Sequence, residues 1–410
     1  MGLIYSCGIW FYEQGIRVAS HFNSKAKLWC IGREDIFSRI ARAIVPDEPI
    51  VWIHVASLGE FEQGRPIIEE LKVSYPELRI MLTFFSPSGY EVRKSYPMAD
   101  YIFYLPSDRP RNVRRFLDIV KPRAVIFVKY EFWLNYLREL RRREIPTYLI
   151  SASFRPRSIF FMPWGIGWRR ALRGYKHLFV QNERSQELLL KLGCHNVTVA
   201  GDTRFDRVVA LAKESKSNPS IEQFISNKPL FIAGSTWEED EVLLRELIAQ
   251  HPDIRFIIAP HEIGEERIAR LKASLRSAVL YTEFIKNENS TEAQVLILNT
   301  MGMLGGIYRY ARWAYIGGGF GRGIHNTLEA ATYGLPIAFG PNYKKFNEAI
   351  GLIECGAACS VKSARELSTW FTLLKSDDAA RQRASDASRS YTAQNCGATK
   401  LIIEALDNSL

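Results

Sequence analysis

Cysteine is scarce in this sequence. Six of its 410 residues are cysteine (Cys7, Cys30, Cys194, Cys355, Cys359 and Cys396), and no two form a Cys-x-x-Cys pair. A disulfide scaffold is excluded. Cys355 and Cys359 have a metal-like spacing but no second ligand pair beside them. They read as reduced, small apolar residues, which fits a cytosol-facing protein. Long hydrophobic runs are also lacking. The run from Leu3 to Tyr12 is interrupted by Glu13 and Gln14, and an unassisted membrane span needs about 20 apolar residues. The run has neither the basic flank nor the cleavage site of a secretory signal. The 18 prolines and 27 glycines show no period, so collagen-like and proline-rich repeats are excluded. No Gly-x-Gly-x-x-Gly follows the first expected strand and no Walker sequence occurs, which disfavours dinucleotide dehydrogenases and P-loop enzymes. No Asp-x-Asp stands at a strand end, so no obligatory metal is expected. No RNA- or DNA-binding motif is visible, and no nucleic-acid partner is expected.

What is present is an ordinary globular composition, 47% hydrophobic and 24% charged, long enough for two large domains. The net charge of +10 is unevenly spread. Residues 1–200 hold 30 basic and 19 acidic side chains, a net of +11, and residues 201–410 hold 24 and 25. The first half therefore has use for an anionic partner. Strands are expected at Ile50–Ala56, Arg79–Thr83, Tyr101–Leu105, Ala124–Val128, Thr147–Ser151, His177–Gln181 and Val197–Ala200, with helix-period stretches between them. A polar segment, Lys213 to Lys228, reads as a link. The pattern then restarts at Leu230–Ala233, Arg255–Ala259, Gln294–Leu298, Trp313–Gly317 and Pro336–Phe339. The fold class is α/β: two doubly wound, Rossmann-like domains facing a cleft at the carboxyl ends of their strands. The expected division is an N-terminal segment 1–30, a domain 31–212 and a domain 213–410 that includes polar C-terminal helices. In the N-terminal segment, Arg17, His21, Lys25, Lys27 and Arg33 alternate with Ile16, Val18, Phe22, Leu28 and Trp29. That pattern suits an interfacial segment on an anionic bilayer. It also suits a first helix packed on the core.

Five segments carry candidate chemistry. In His54-Val55-Ala56-Ser57-Leu58-Gly59-Glu60 a strand turns into a helix. Gly59 allows close backbone approach, and Glu60 is placed to accept a proton from a hydroxyl group. The helix dipole alone also favours an acid there. In Lys129-Tyr130-Glu131-Phe132-Trp133-Leu134-Asn135, Glu131 occupies a second strand-to-helix turn. In Gly201-Asp202-Thr203-Arg204-Phe205-Asp206, Arg204 is placed either to neutralise a departing phosphate or to pair with Asp202 or Asp206. Gly234 and Ser235 precede an acidic helix start and offer a phosphate loop or an N-cap. Pro260 and His261 end the following strand. The fifth segment runs from Gly317 to Glu329, with five glycines in seven residues up to Gly323. Its amides offer a phosphate site, and Glu329 offers a carboxylate to a ribose diol. The Asn326 to Glu329 spacing also matches a helix capping box.

Together, in this order, these segments resemble the 3-deoxy-D-manno-octulosonic acid (Kdo) transferases of lipopolysaccharide assembly. The resemblance runs from about Trp29 to about Glu348. It rests on His54 to Glu60 against His-x-x-Ser-x-Gly-Glu, and on Gly201 to Asp206 against Gly-x-x-Lys-Phe-Asp, with Arg204 for Lys. Gly323 to Glu329 match Gly-Gly-His-Asn-x-x-Glu, with Ile324 for the second Gly. Lys129 to Asn135 match Glu-x-Glu-x-Trp-Pro-Asn in part, with Lys129 for an acid and Leu134 for Pro. Pro260-His261-Glu262 stands where the family has Pro-Arg-His, and Met301-Gly302-Met303-Leu304 where it has Met-Gly-Glu-Leu.

The resemblance implies a GT-B fold and inverting, metal-independent transfer of Kdo from CMP-Kdo to the lipid A precursor, without a cofactor. It implies Glu60 as general base, with Glu131 and Arg204 stabilising the transition state. It implies CMP on the second domain, against Pro260, His261, Met301, Gly302, Met303 and the run Asn326, Thr327, Leu328 and Glu329. Ser57, Gly59, Arg109 and Arg155 fall on the acceptor side. Three basic runs lie in the first half: Arg109, Arg111, Arg114 and Arg115; Arg138 and Arg141 to Arg143; and Arg155, Arg157, Arg169, Arg170 and Arg173. They suit the phosphates of the acceptor and the anionic cytoplasmic face of the bacterial inner membrane. Phe160, Phe161, Met162, Pro163, Trp164, Ile166 and Trp168 are placed either to meet acyl chains or to pack inward. Two other readings use the same features: a UDP-sugar transferase or epimerase of the same fold, and a non-catalytic basic membrane-peripheral protein.

Overall fold

The structure is a computed structural model that describes residues 2–286, 292–407 and 410, and for Leu3 the backbone only. The parts of the expected segments at Met1, 287–291 and 408–409 lie outside the described residues. The chain forms two compact units. One comprises Met1–Asp206 with Cys396–Leu410, and the other Arg207–Asn395.

The first unit holds a wholly parallel sheet of β1 (Ile50–Val55), β2 (Arg79–Phe84), β3 (Tyr101–Tyr104), β4 (Ala124–Val128), β5 (Thr147–Ala152), β6 (His177–Val180) and β7 (Val197–Val199). Its order is β3-β2-β1-β4-β5-β6-β7. All residues of β1, β4 and β5 are buried, as expected of strands covered by helices on both faces. The second unit holds β8 (Leu230–Thr236), β9 (Arg255–Pro260), β10 (Ala278–Leu280), β11 (Val295–Ile297), β12 (Trp313–Ile316), β13 (Ile337–Phe339) and β14 (Ala358–Ser360). The order is β10-β11-β9-β8-β12-β13-β14, again all parallel. β10 and β14 are the edge strands, three residues each and only partly buried. The sequence reading misses both: β10 is a bare three-residue Ala-Val-Leu run and β14 is Ala-Cys-Ser.

In each sheet the winding direction reverses once, between β1 and β4 and between β8 and β12. A doubly wound sheet opens a crevice at that switch point, outside the carboxyl ends of the strands. Ser57–Glu60 and Lys129–Glu131 follow β1 and β4, and Gly234–Thr236 and Gly317–Glu329 follow or end β8 and β12. These four motifs thus fall on the two switch points, whereas Gly201–Asp206 follows the edge strand β7 and Pro260 ends β9.

The division between units differs from the expected one. The Lys213–Lys228 stretch is no open link: helices Arg204–Glu214 and Pro219–Ile225 occupy most of it, the second capped by Asn218 on the Ile221 amide. The C-terminal helix Ala398–Leu406 belongs with the first unit, where Ile402 and Leu406 enter the same apolar cluster as Ile67 and Leu71. Asp206 fastens it by accepting from the Gly397 and Thr399 amides at 2.5 and 2.7 Å.

The N-terminal helix Gly2–Ala19 is held to the first unit by one face. The Tyr5 hydroxyl donates to Asp108 (2.7 Å), Asn135 Nδ2 donates to Ser6 Oγ (3.3 Å), and the buried Glu13 meets Arg109 (3.6 Å). Arg33, half-buried against Trp29, Phe85 and Tyr104, donates to three backbone carbonyls and pins the helix Ser24–Ile31. The outward face is apolar: Ile4, Phe11 and Val18 repeat every seven residues, and Phe22 beyond them is 90% exposed. No helix among the described residues is long and apolar enough to cross a membrane. The aromatic segment at 160–168 divides likewise. Phe160 is buried, Phe161 and Trp168 lie against the core, and Trp164 and Ile166 are exposed.

Candidate active site

Glu60 sits in the first turn of the helix Leu58–Ser74, half-buried, and the N-cap Ser57 has extended backbone. The Ser-x-x-Glu spacing suits a capping box, but Ser57 makes no side-chain cap. Its hydroxyl donates to the Glu60 carboxylate instead. Gly59 is exposed, and a Cβ there would meet only Ser57 Oγ, at 3.8 Å. Nothing in the protein requires glycine at this position, which leaves room beside Glu60.

Glu131 is buried, not open to a crevice as its position suggests. Its Oε2 lies 3.0 Å from His54 Nε2 and accepts from Trp133 Nε1 at 2.5 Å. His54, on β1 and fully buried, contacts Thr83 through Nδ1 (2.9 Å to Oγ1), and Thr83 also accepts from Trp52 Nε1. A polar string Trp52–Thr83–His54–Glu131–Trp133 therefore crosses the switch point, with each member satisfied. His54 and Trp133 are site residues that the sequence reading left out. The signal for both was their place inside the quoted motifs. Tyr175 donates to the Glu131 carbonyl and fixes the turn from behind. Lys129, at the same turn, takes a left-handed φ of 71°.

Arg204 pairs with Asp202, one of the two carboxylates expected for it. Its Nη2 lies 2.7 Å and its Nε 3.0 Å from Asp202 Oδ2. Burial alone would raise the Asp202 pKa, but Arg204 and Gln63 hold it below the usual range, and Gln181 also donates to it. Asp108 anchors the helix Leu134–Arg142 by accepting from the Asn135 and Tyr136 amides. Burial pushes its carboxyl up to about 6 despite these donors. Arg109 is engaged with Glu13, and Arg155 is exposed.

In the second unit the candidate phosphate-loop residues fall in two places, Gly323 in the glycine loop after β12 and the other two on β8. Gly234 and Ser235 lie within β8, at a bulge, and a Cβ on Gly234 would collide with the Tyr308 hydroxyl. The helix that follows opens with four acids, Glu238 to Glu241, which repel a phosphate. In the glycine loop four of the amides have acceptors within the protein. Gly317 donates to Gly234 O, Gly318 to Asp240 Oδ2 (2.8 Å), and Gly321 and Gly323 to Gly318 O. The glycines serve close packing: a Cβ on Gly319 would lie 2.5 Å from Gly340 backbone atoms.

The loop instead presents side chains. His261, exposed after β9, stacks on His325 with ring centroids 4.2 Å apart, and Trp237 lies over both. Trp237 Nε1 donates to His325 Nε2 at 2.9 Å. An indole N–H can only donate, so neutral His325 carries its proton on Nδ1. Burial and the neighbouring His261 lower its pKa to about 4. Asp240 accepts from the Trp237 and Gly318 amides and from the Tyr315 hydroxyl, and it ties the stack to the loop. Trp237, Asp240 and His325 were not singled out from sequence, although Trp237 immediately follows a quoted motif.

Asn326 and Glu329 form a local pair (3.1 Å), and Asn326 Oδ1 accepts from the Leu328 amide. Thr327 is fully buried and Leu328 lies in the core. Glu329 reaches a cavity of 570 Å³ lined also by Ser215, Gly302, Met303 and Tyr333. Gly302, Met303 and Glu329 thus share one cavity, with Met301 exposed beside them. Pro260 ends β9 and places His261 in the stack. Among the described residues no group of three or more His, Cys, Asp or Glu is clustered as metal ligands.

Two units with these sheets define the GT-B class of α/β fold. Solved structures of the same fold include a UDP-N-acetylglucosamine 2-epimerase from Neisseria meningitidis (TM-score 0.60, 16% identity, 87% of this chain and 99% of that one). MurG from Acinetobacter baumannii is another (TM-score 0.56, 13% identity, 88% and 99%). At those identities the likeness bears on the fold alone.

Sequence comparison is more specific. Residues 33–207 match the family described as 3-deoxy-D-manno-octulosonic-acid transferase (kdotransferase). Over 389 residues the chain is 30% identical to the 3-deoxy-D-manno-octulosonic acid transferase of Bordetella pertussis, covering 90% of each. Over 333 residues it is 29% identical to that of Aquifex aeolicus, covering 80% of this chain and 86% of the other. The chain belongs to the 3-deoxy-D-manno-octulosonic acid transferase family, and it is a glycosyltransferase.

Proposed function

We propose that the protein transfers Kdo from CMP-Kdo to a hydroxyl of the lipid A precursor by a single displacement that inverts the anomeric centre, without an obligatory metal. The observation that carries this reading is Glu60. It is an acid half-open at a doubly wound switch point, with Ser57 spent on it rather than on a helix cap. CMP is a good leaving group, so the protein must orient the hydroxyl, remove its proton and balance charge on the departing phosphate. Glu60 is the base. Glu131, fixed by His54 and Trp133, and Arg204, fixed by Asp202, are the groups placed to shape the charge around the reaction. Ser57 and Gly59 belong to the acceptor side. CMP is assigned to the second unit, with Glu329 on the ribose and the His261–His325 stack beside it. His325 offers a neutral Nδ1–H to a phosphate oxygen.

Acceptor recognition at a membrane is supported by the outward stripe of Ile4, Phe11, Val18 and Phe22 and by the surplus of arginine in the first unit. The reading places the protein on the cytoplasmic face of the inner membrane. The test is thermal protection together with transfer. CMP raises the melting temperature and UDP does not, and transfer of Kdo to tetra-acylated lipid A precursor proceeds at an undiminished rate in EDTA. Protection by UDP alone, or loss of transfer in EDTA, overturns this reading.

A further inference from the structure

A narrow cavity of 240 Å³ opens in the first unit between the N-terminal helix and the helices Leu134–Arg142 and Ile166–Leu172. Its lining is mainly apolar, with Leu134, Leu137, Ala171 and the glycines at 2, 167 and 174, and it also includes Tyr5 and Asn135. Arg138, Arg141 and Arg170 stand among its walls, and all three are exposed. Their neighbours on the chain are already used: Arg142 and Arg143 both pair with Glu139 and lower its pKa to about 2, and Arg143 also holds Asp118. Arg138, Arg141 and Arg170 form no ion pair among the described residues. Arg138 reaches Asn135 Oδ1 at 3.3 Å.

We propose that this cavity is a binding site for an anionic bilayer phospholipid, distinct from the acceptor site. Its phosphate lies on Arg138, Arg141 and Arg170, and the start of its acyl chains lies in the apolar interior. Charge complementarity selects the head: three guanidinium groups, none in an ion pair among the described residues, line the one cavity, Arg138 also feeling the more distant Asp108 carboxylate, and a guanidinium fork matches a phosphate. The carbon-lined interior selects a lipid over a soluble phosphate, which has no use for it. The surroundings agree. Exposed Ile4 lies on one flanking helix, and exposed Ile166 and Trp164 lie on or beside another. A bilayer that received them would deliver a phosphate to the rim. The site deepens the membrane reading above and rests on it. Its consequence is a fixed orientation of the first unit on the surface, which a diffuse positive field does not give.

The test uses the full chain in flotation with vesicles of phosphatidylcholine alone and of phosphatidylcholine mixed with phosphatidylglycerol. The pair Arg141→Gln and Arg170→Gln is compared with Arg111→Gln and Arg123→Gln, which removes the same charge from exposed positions away from the cavity. Wild type is expected to float with the anionic vesicles. The cavity pair is expected to lose about tenfold or more in apparent affinity, and the comparison pair about threefold or less. Soluble glycerol phosphate is expected not to compete. Equal losses from the two pairs, or displacement by glycerol phosphate, overturn the proposal while leaving membrane binding intact. Wild type that floats with no vesicle overturns both this proposal and the membrane reading.

Discussion

Glu60 and Glu131 occupy equivalent positions in sequence, each just past a strand, yet their surroundings differ. Ser57 is the one side chain hydrogen-bonded to Glu60 among the described residues, and the site of Gly59 beside it is open. Glu131 is enclosed by an imidazole and an indole. Removing the Glu131 carboxylate strands two buried donors, and an unsatisfied buried donor costs about 1–3 kcal/mol. Glu131→Ala is therefore expected to lower unfolding free energy by that order, and Glu131→Gln, which keeps an acceptor, by less. Urea unfolding of both variants measures this. An alanine variant as stable as wild type would mean that the His54 and Trp133 contacts do not hold the turn.

At the scale of elements, the loop between β12 and the helix Leu328–Thr332 shows what the sequence could and could not reveal. The five glycines marked a place where backbone must come close, and it does. One partner is the protein's own backbone at Gly340 and Gly318. Composition reports a close approach without saying to what. Long, fully buried strands such as β1 and β4 were legible because both faces are apolar. β10 and β14 were not: β14 is Ala-Cys-Ser and β10 has one β-branched residue, Val279, whereas the equally short edge strand β7, Val-Thr-Val, is β-branched throughout and was legible. The Arg204–Asp202 pair was legible as one of two alternatives, but the Gln63 and Gln181 contacts of Asp202 and the Tyr315 and Gly318 contacts of Asp240 were not, because those partners come from distant segments.

The imidazole stack on this loop has a pH consequence. Free histidine has a pKa of about 6.5, and folded His325 sits near 4 because of burial and His261. Above pH 6.5 both folded and unfolded forms are neutral. Between 6.5 and 4 the unfolded chain takes a proton that folded His325 refuses, so stability of the second unit falls as pH falls through that window. Below 4 the difference stops growing. Denaturant unfolding from neutral pH down to about 4.5 should show wild type losing more stability than His325→Gln, which keeps an acceptor for Trp237. Parallel losses would contradict the assignment.

At the scale of the whole chain, charge and chemistry are partitioned. The first unit carries the arginine surplus, the outward apolar stripe and the proposed base. The second carries the His–Trp stack and the cavity at Glu329. The C-terminal helix returns to the first unit through Asp206, a long-range closure that no local pattern announces. The family membership fixes Kdo transfer, and the remaining question is which atom takes the acceptor's proton. Initial rates of Kdo transfer from CMP-Kdo to the lipid A precursor, followed by mass for wild type and Glu60→Gln side by side, answer it most directly. A general base contributes roughly 10²- to 10⁴-fold, so the variant should slow by that factor while its melting temperature and its protection by CMP stay at wild-type values. A variant that folds, binds CMP and transfers Kdo at near the wild-type rate would contradict the account.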